Sequence, residues 1–400
     1  MPNMLDYITW RGDLSIRQDA LNENDILILA QLAYVAFGEY IPGPDKPDAR
    51  VTLEDAVAWL VGTDPDGEQI HQTGFMWKNN QQLLRALRGS RRFGEMGMFA
   101  YVDSVSAADE KQFAAVTYEV GDGSALVAYR GTDDTLIGWK EDLNMSYDTP
   151  VPAQTEATEY LERIAAVFPG PLRVTGHSKG GNLAVYAAAH CSDAVAERLV
   201  SVISHDGPGL DQATIDSAGY ARIRERLKVY IPHFSLVGML LEHENNYTVV
   251  QSDAKNVLQH DAFSWQMQGT CMLYADAPSE ASLSTNQVLR QWMQTLSGDQ
   301  RKLFIEAVYE IASTAYGDKI PENVVETNWT LSAPEIISAV LKLDPHTRSM
   351  FSKSLLQLFS TAIKNIRLPW QKEEKDAEKL EAVEEPVPVA APVRGELGEP

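Results

Sequence analysis

The chain is short of cysteine. Two in 400 residues, Cys191 and Cys271, cannot build a disulfide framework or a thiolate metal site, and they suit a reducing compartment. It is also short of positive charge: 34 Lys and Arg face 56 Asp and Glu, a formal net charge of −22. So acidic a chain gains nothing from releasing counterions off phosphate, which excludes nucleic acid as a main partner. No apolar run reaches the roughly 18–20 residues of a membrane span, so no integral membrane association is expected. Residues 1–13, MPNMLDYITWRGD, carry an acid early and no apolar stretch of signal-peptide length. The phosphate-cradling G-x-x-x-x-G-K-[ST] is missing, as is a strand-linked G-x-G-x-x-G. His243-Glu244-Asn245-Asn246-Tyr247 begins like the zinc motif H-E-x-x-H but has Tyr in fifth place. These absences leave the expectation of a soluble, cytoplasmic enzyme that works without cofactor or metal.

What is present is ordinary globular material, 44% hydrophobic and 22% charged, which excludes wholesale disorder. The exception is 371–400, with nine acids, four bases, four prolines and no aromatic. Such a segment buries too little apolar surface to offset its ordering entropy, and it is expected to be a disordered acidic tail.

Residues 1–97 read as an N-terminal helical segment contributing to the main domain. Asn22 and Asp25 open a helical pattern through Ile26, Leu29, Ala33 and Phe37, and Thr52 and Asp55 open a second. A third helix is expected near 79–88, and the amphipathic stretch 64–97 could serve as a lid. From 98 to 280 the texture is α/β. Strand-like runs stand at Met98–Ser104, Gln112–Val120 and Ala125–Tyr129, with an Asp122-Gly123 hairpin signal between the last two. Strands at Leu172–Thr175, Leu199–Ser204, Leu227–Ile231 and Tyr247–Gln251 then follow, with helices at Gln154–Phe168 and Lys179–His190. That rhythm predicts a mostly parallel central sheet covered on both faces by helices, with an antiparallel edge. Residues 281–370 carry only helical patterns and read as a C-terminal helical appendage.

The sharpest chemical signal is Gly176-His177-Ser178-Lys179-Gly180-Gly181, set directly between a strand and an Ala-rich helix. A nucleophile elbow requires G-x-S-x-G in that context. The turn is too tight for side chains at 176 and 180, and it exposes the Ser178 hydroxyl at the strand's end. The Lys179 N–H, opening the helix, faces a developing oxyanion. Placed so, Ser178 reads as a nucleophile rather than a residue of an ordinary tight turn.

A nucleophilic serine needs a base and an acid, in chain order Ser, Asp or Glu, His. Of eight histidines, His71 precedes the elbow, His177 lies inside it facing away from the hydroxyl, and His190 and His346 belong to helices. His205 and His233 end strands, and His243 falls near a strand start. His260 follows the last strand-like run in a polar loop, where the base belongs.

Upstream stands Tyr129-Arg130-Gly131-Thr132-Asp133, continuing to Trp139-Lys140-Glu141-Asp142-Leu143. With the elbow, this pair of blocks resembles the class 3 (fungal-type) lipases, whose R-G-[ST] and W-x-x-D-L precede G-H-S-x-G-G. The resemblance implies an α/β-hydrolase fold and an oxyanion hole built from Thr132 and the Lys179 N–H. In it Trp139 and Asp142 brace the oxyanion loop. The N-terminal blocks Leu5-Asp6-Tyr7, Trp10-Arg11-Gly12-Asp13 and Ala30-Gln31-Leu32-Ala33-Tyr34 are not lipase-like; beside them stand His205-Asp206-Gly207-Pro208-Gly209 and His260-Asp261-Ala262-Phe263-Ser264-Trp265. They are similar to an uncharacterised bacterial family of lipase-like hydrolases, a domain of unknown function, over roughly residues 3–275.

The acid departs from the lipase pattern, which carries an Asp after the strand matching Leu227–Ile231. Here that stretch reads Ser235-Leu236-Val237-Gly238. Asp206, one strand earlier, is a place some other lipases use. Asp253, Asp261 and a dyad with Ser235 as acid substitute remain open. A serine hydroxyl can orient an imidazole but cannot stabilise imidazolium as a carboxylate does. The expected activity is serine hydrolysis of carboxylic esters. The resemblance implies small-molecule or lipid substrates, phospholipid acyl esters among them, and transient contact with a lipid surface. The competing expectation is a non-catalytic hydrolase-like binding or scaffold protein.

Overall fold

The computed structural model describes residues 1–63, 77–133, 135–242, 244, 246–317 and 333–365. Asn3 opens helix α1 (Met4–Arg11) by accepting from the N–H groups of Leu5 and Asp6, and Asn22 repeats the device for α2 (Glu23–Leu32). In α2, Asp25 returns a bond to the Asn22 N–H, closing the capping box read from the sequence. A two-residue strand β1 (Val51–Thr52) leads into α3 (Leu53–Thr63), followed by α4 (Trp77–Leu87) and α5 (Arg91–Gly94).

The sheet has nine strands. β1, β2 (Gly97–Ser106), β3 (Lys111–Glu119) and β4 (Ala125–Tyr129) pair antiparallel. After α6 (Leu136–Asn144) and α7 (Pro152–Val167) come β5 (Leu172–His177), α8 (Lys179–His190), β6 (Leu199–His205), β7 (Leu227–Pro232) and β8 (Thr248–Val250). From β4 to β8 the strands lie parallel in sequence order, and the short strand Tyr274–Ala275 closes the far edge antiparallel. The parallel strands form the middle of a mixed α/β sheet with antiparallel edges.

Strand order decides where the helices go. A parallel sheet advancing in one direction through right-handed crossovers puts every crossover helix on one face. Accordingly α7 and α8 pack together there, with Tyr160, Leu161, Ile164, Leu183 and Ala187 against Phe113, Val127, Val174 and Val202. Both faces of the sheet are covered, as expected, but the crossover helices α7 and α8 share one face. The opposite face is covered by α1 to α4, whose Tyr7, Leu27, Leu53 and Leu84 share one core with Val116, Leu126, Ala128 and Ile203.

Helices Glu280–Gln294, Gly298–Tyr316, Ala333–Lys342 and Pro345–Asn365 form the appendage, with a small core of Ala307, Ile311, Ala339, Leu343 and Phe351. It meets the sheet domain through Ser282 and Asn286, which hydrogen-bond around Ser235, and through Arg301, which donates to the Ser146 carbonyl. The tail 371–400 lies outside the described residues, as do 64–76 of the stretch considered as a lid. In the rest of that stretch, Leu83, Leu84 and Leu87 of α4 and Phe93 of α5 are fully buried. Among the described residues no helix is long and apolar enough to cross a membrane, and no group of three or more His, Cys, Asp or Glu could hold a metal ion.

Candidate active site

The site begins at the turn from β5 into α8. Ser178 sits there at φ 58, ψ −134, a conformation that L-residues avoid unless their surroundings impose it. The surroundings do impose it. A Cβ on Gly176 would lie 2.2 Å from the Gly180 carbonyl, and one on Gly180 would lie 2.1 Å from the Tyr129 oxygen. Only glycine at both positions lets β4, β5 and α8 approach this closely. The Ser178 N–H donates to the His205 carbonyl, and the Ser178 carbonyl accepts from Gly181, so both backbone sides of the turn are held.

His260 comes to this hydroxyl from a loop after β8. Its Nε2 stands 3.0 Å from Ser178 Oγ, and its Nδ1 stands 2.6 Å from Asp206 Oδ2. A carboxylate beside Nδ1 requires the ring proton there, which leaves Nε2 free to accept from the serine hydroxyl. Asp206 follows β6 with a positive φ of 50 and is fully buried. Its N–H donates to the Tyr230 carbonyl, which anchors it to β7. Its other oxygen, Oδ1, accepts from Ser235 Oγ at 2.6 Å and from the Gly238 N–H at 3.1 Å.

The structure therefore brings Ser178, His260 and Asp206 together, and it gives Ser235 a place the sequence reading did not foresee. Ser235 touches the acid rather than replacing it. Asp253 is half exposed. The Asp261 carboxylate accepts from the Phe263 N–H and from Asn79, and burial pushes its carboxyl up to about 6. Neither carboxylate is the partner of His260 Nδ1.

The loop carrying Arg130 and Thr132 lies against the elbow, since a Cβ on Gly131 would be 3.0 Å from Ser178 Cβ. The Thr132 hydroxyl does not stand free: it donates to Asp142 on α6. Burial pushes the Asp142 carboxyl up to about 6, against the opposing pull of the Lys179 ammonium. Trp139, on the same helix, is partly exposed. The Lys179 N–H heads α8, where no preceding helical carbonyl exists to accept it. The Lys179 side chain turns inward to Glu141.

Several contributors escaped the sequence reading. His177 does face away from the hydroxyl, but it does more than pack. Its Nε2 donates to the His260 carbonyl at 2.8 Å, and its Nδ1 accepts from the Tyr34 hydroxyl at 3.0 Å. Burial, with His260 and His205 nearby, holds that ring well below the ordinary imidazole value, so it stays neutral and keeps one donor and one acceptor. Trp265 Nε1 donates to the Gln259 carbonyl, and Gln259 Oε1 accepts from the Phe234 N–H, which ties the base loop to the loop beyond β7. Ser282 and Asn286 brace Ser235 from the appendage. Their partners are about 50 residues away in the chain, and no local pattern marks them.

The sequence model of one family, described as Mbeg1-like, matches residues 87–310. A search of curated proteins found no match. Among solved structures the chain is similar to M37 lipase, with 13% identity and a TM-score of 0.30 over 54% of this chain and 67% of that one. It is also similar to the lipase from Rhizopus microsporus var. chinensis, with 12% identity and a TM-score of 0.30 over 61% of this chain and 90% of that one.

Proposed function

The chain belongs to the Mbeg1-like family, and we propose that it is a serine hydrolase of carboxylic esters acting through a Ser178-His260-Asp206 triad and an acyl-enzyme. One observation carries this reading. A serine in a strained elbow lies 3.0 Å from an imidazole whose other nitrogen lies 2.6 Å from a buried carboxylate. His260 Nε2 takes the Ser178 proton as Oγ attacks the acyl carbon, and Asp206 stabilises the imidazolium that forms. The tetrahedral oxygen settles at the N–H groups of Lys179 and Thr132. Collapse of that intermediate expels the alcohol, which leaves with the proton from Nε2. Water then repeats the sequence on the acyl-enzyme. No cofactor is required.

The scaffold alternative drew its support from the missing acid after β7. It loses that support, because a carboxylate reaches His260 from the end of β6 instead. Lipid or phospholipid acyl esters are the substrate class we favour, from the lipase resemblance. Exposed Val257 and Leu258, just ahead of His260 in the chain, suit contact with an apolar acyl chain. Cytoplasmic location and transient lipid-surface contact belong to the same proposal.

A fluorophosphonate probe tests the reading without the true substrate. Wild type is expected to label and to hydrolyse p-nitrophenyl esters. Ser178→Ala should lose both while melting near wild type, because Ala meets the same backbone strain as Ser. Failure of wild type to label, or unchanged turnover in Ser178→Ala, would overturn it.

A further inference from the structure

The residue after the nucleophile has a second part to play. Lys179 Nζ is completely buried, and it donates to Glu141 Oε2 at 2.5 Å, to the Gln112 carbonyl at 2.9 Å and to Gln112 Oε1 at 3.3 Å. Those three acceptors use all three ammonium hydrogens. Glu141 is equally buried. It also accepts from the Gln112 N–H at 2.9 Å and from the Ala153 N–H at 2.8 Å, which fixes α6 against β3 and the start of α7. The next residue on α6 is Asp142, the residue that holds the Thr132 hydroxyl. Asp142 Oδ1 has no hydrogen-bond partner among the described residues, and the Lys179 ammonium lies 3.7 Å from it.

An oxyanion hole assembled from a helix N-terminus and a separate loop works only if the two donors keep their spacing. Here the helix donor is the Lys179 N–H and the loop donor is the Thr132 N–H, since the Thr132 hydroxyl already donates to Asp142. The Lys179 side chain runs from the first to the helix that holds the second. We propose that Lys179 is a positioning residue for ester hydrolysis: its buried ion pair with Glu141 locks α6, and through Asp142 locks Thr132, in register with the elbow. This rests on the serine-hydrolase reading and extends it.

Stability alone does not account for the pair. A buried ion pair is often no better than well-packed apolar residues of the same volume, because both charges lose their water. Charge adds a second argument. The site that must accept a developing negative oxygen already has two carboxylates beside it on α6. The Lys179 ammonium is the cation within 4 Å of both, and without it Asp142 would lose the charge that balances it.

The test is a double-mutant cycle on the full chain, read in kcat and KM for a p-nitrophenyl ester. Lys179→Met keeps the backbone N–H and removes the ammonium. It is expected to lower kcat by about 100-fold, the scale of one lost oxyanion donor, with KM within about threefold. Thr132→Val keeps its own backbone N–H but cuts the tie to Asp142, and should cost about as much. In the Thr132→Val background, Lys179→Met should cost less than about threefold more, because the tie through Asp142 that carries its effect to residue 132 is already cut. Losses that multiply, or a Lys179→Met protein that melts lower yet keeps its kcat, would overturn the proposal and leave Lys179 a structural residue. Should Lys179→Met fail to fold, the isosteric Glu141→Gln enters the same cycle with the same two outcomes. Wild type that takes no fluorophosphonate label brings down the hydrolase reading itself, whereas labelled wild type with a multiplicative cycle brings down only this inference.

Discussion

Ser235 donates its hydroxyl across 2.6 Å to Oδ1 of Asp206, the carboxylate whose other oxygen meets His260. The residue standing where class 3 lipases carry an acid is thus joined to the acid supplied by the neighbouring strand. The carboxylate sits between β6 and the loop after β7, one oxygen turned to the base and one to that loop. The Ser235 carbonyl is in turn held by Ser282 and Asn286, so the appendage reaches within two bonded contacts of the charge that faces His260.

This relationship ranks two substitutions. Asp206→Asn should fold, since Asn tolerates the positive φ of this position as readily as Asp. It should lower kcat by about 10⁴, because the amide favours the wrong imidazole tautomer and offers no charge to imidazolium. Ser235→Ala leaves the Gly238 N–H on Oδ1 and should cost only about 1–2 kcal/mol in kcat/KM. Kinetics of both variants, with circular dichroism to exclude unfolding, decide the matter. A wild-type rate in Asp206→Asn, or the reverse ranking, would remove Asp206 from the acid's role.

What the sequence makes legible follows from the range of each constraint. The elbow is readable because Gly176 and Gly180 are forced by contacts within one strand, one turn and one helix. The parallel strands are readable from β-length apolar runs alternating with helical ones. His260 and Asp206 can be placed by chain order and strand ends, which is a rule of topology. Strand order cannot be read that way, and with it goes the knowledge of which face α7 and α8 cover. Nor does anything local in Lys179 announce Glu141, or in His177 announce Tyr34. Those pairs are 38 and 143 residues apart, and they exist only once the sheet has assembled. Ser235 is legible as the residue at the lipase acid's place, but its partner is not, because a hydroxyl there is compatible with either imidazole or carboxylate.

Acid should weaken the fold in a way that His205 reports. Its ring is fully buried and stacked on Tyr230, and desolvation lowers its pKa to about 3. The folded chain therefore binds fewer protons at this ring than the unfolded chain does. Its contribution to stability is whole above about 6.5 and is lost as pH falls toward about 3. Asp142 and Asp261, raised to about 6, act in the opposite sense. Their contribution is whole below about 3.8 and is lost as pH rises through about 6, so the wild-type profile is a mixture. A difference measurement isolates the ring. Between pH 7 and pH 5, His205→Phe should gain about 2 kcal/mol relative to wild type in urea-unfolding free energy, whatever its offset at pH 7. A difference that stays flat across that interval would show that His205 takes up its proton without unfolding.

The N-terminal helices depend on one buried cation. Arg92, on α5, donates to both oxygens of Asp25 at 2.6 and 2.5 Å, and to the carbonyls of Leu14, Asp19 and Ala20. Asp25 also accepts from the Tyr7 hydroxyl, and its Oδ2 closes the cap of α2. One guanidinium thus joins the loop beyond α1 to the first turn of α2, whose Asp25 also holds Tyr7 of α1, in the layer that covers the face of the sheet left bare by the crossover helices. Arg92→Met keeps most of the volume but strands the Asp25 carboxylate without its cation, and it should cost about 3–5 kcal/mol in unfolding free energy. Arg92→Met combined with Asp25→Asn should cost less than the sum of the two single changes, since the stranded charge is gone. Additive losses would mean that the carboxylate is satisfied by Tyr7 and the α2 cap alone. A cost below about 1 kcal/mol in Arg92→Met would mean that the apolar core beneath α1 and α2 holds this layer in place without the ion pair.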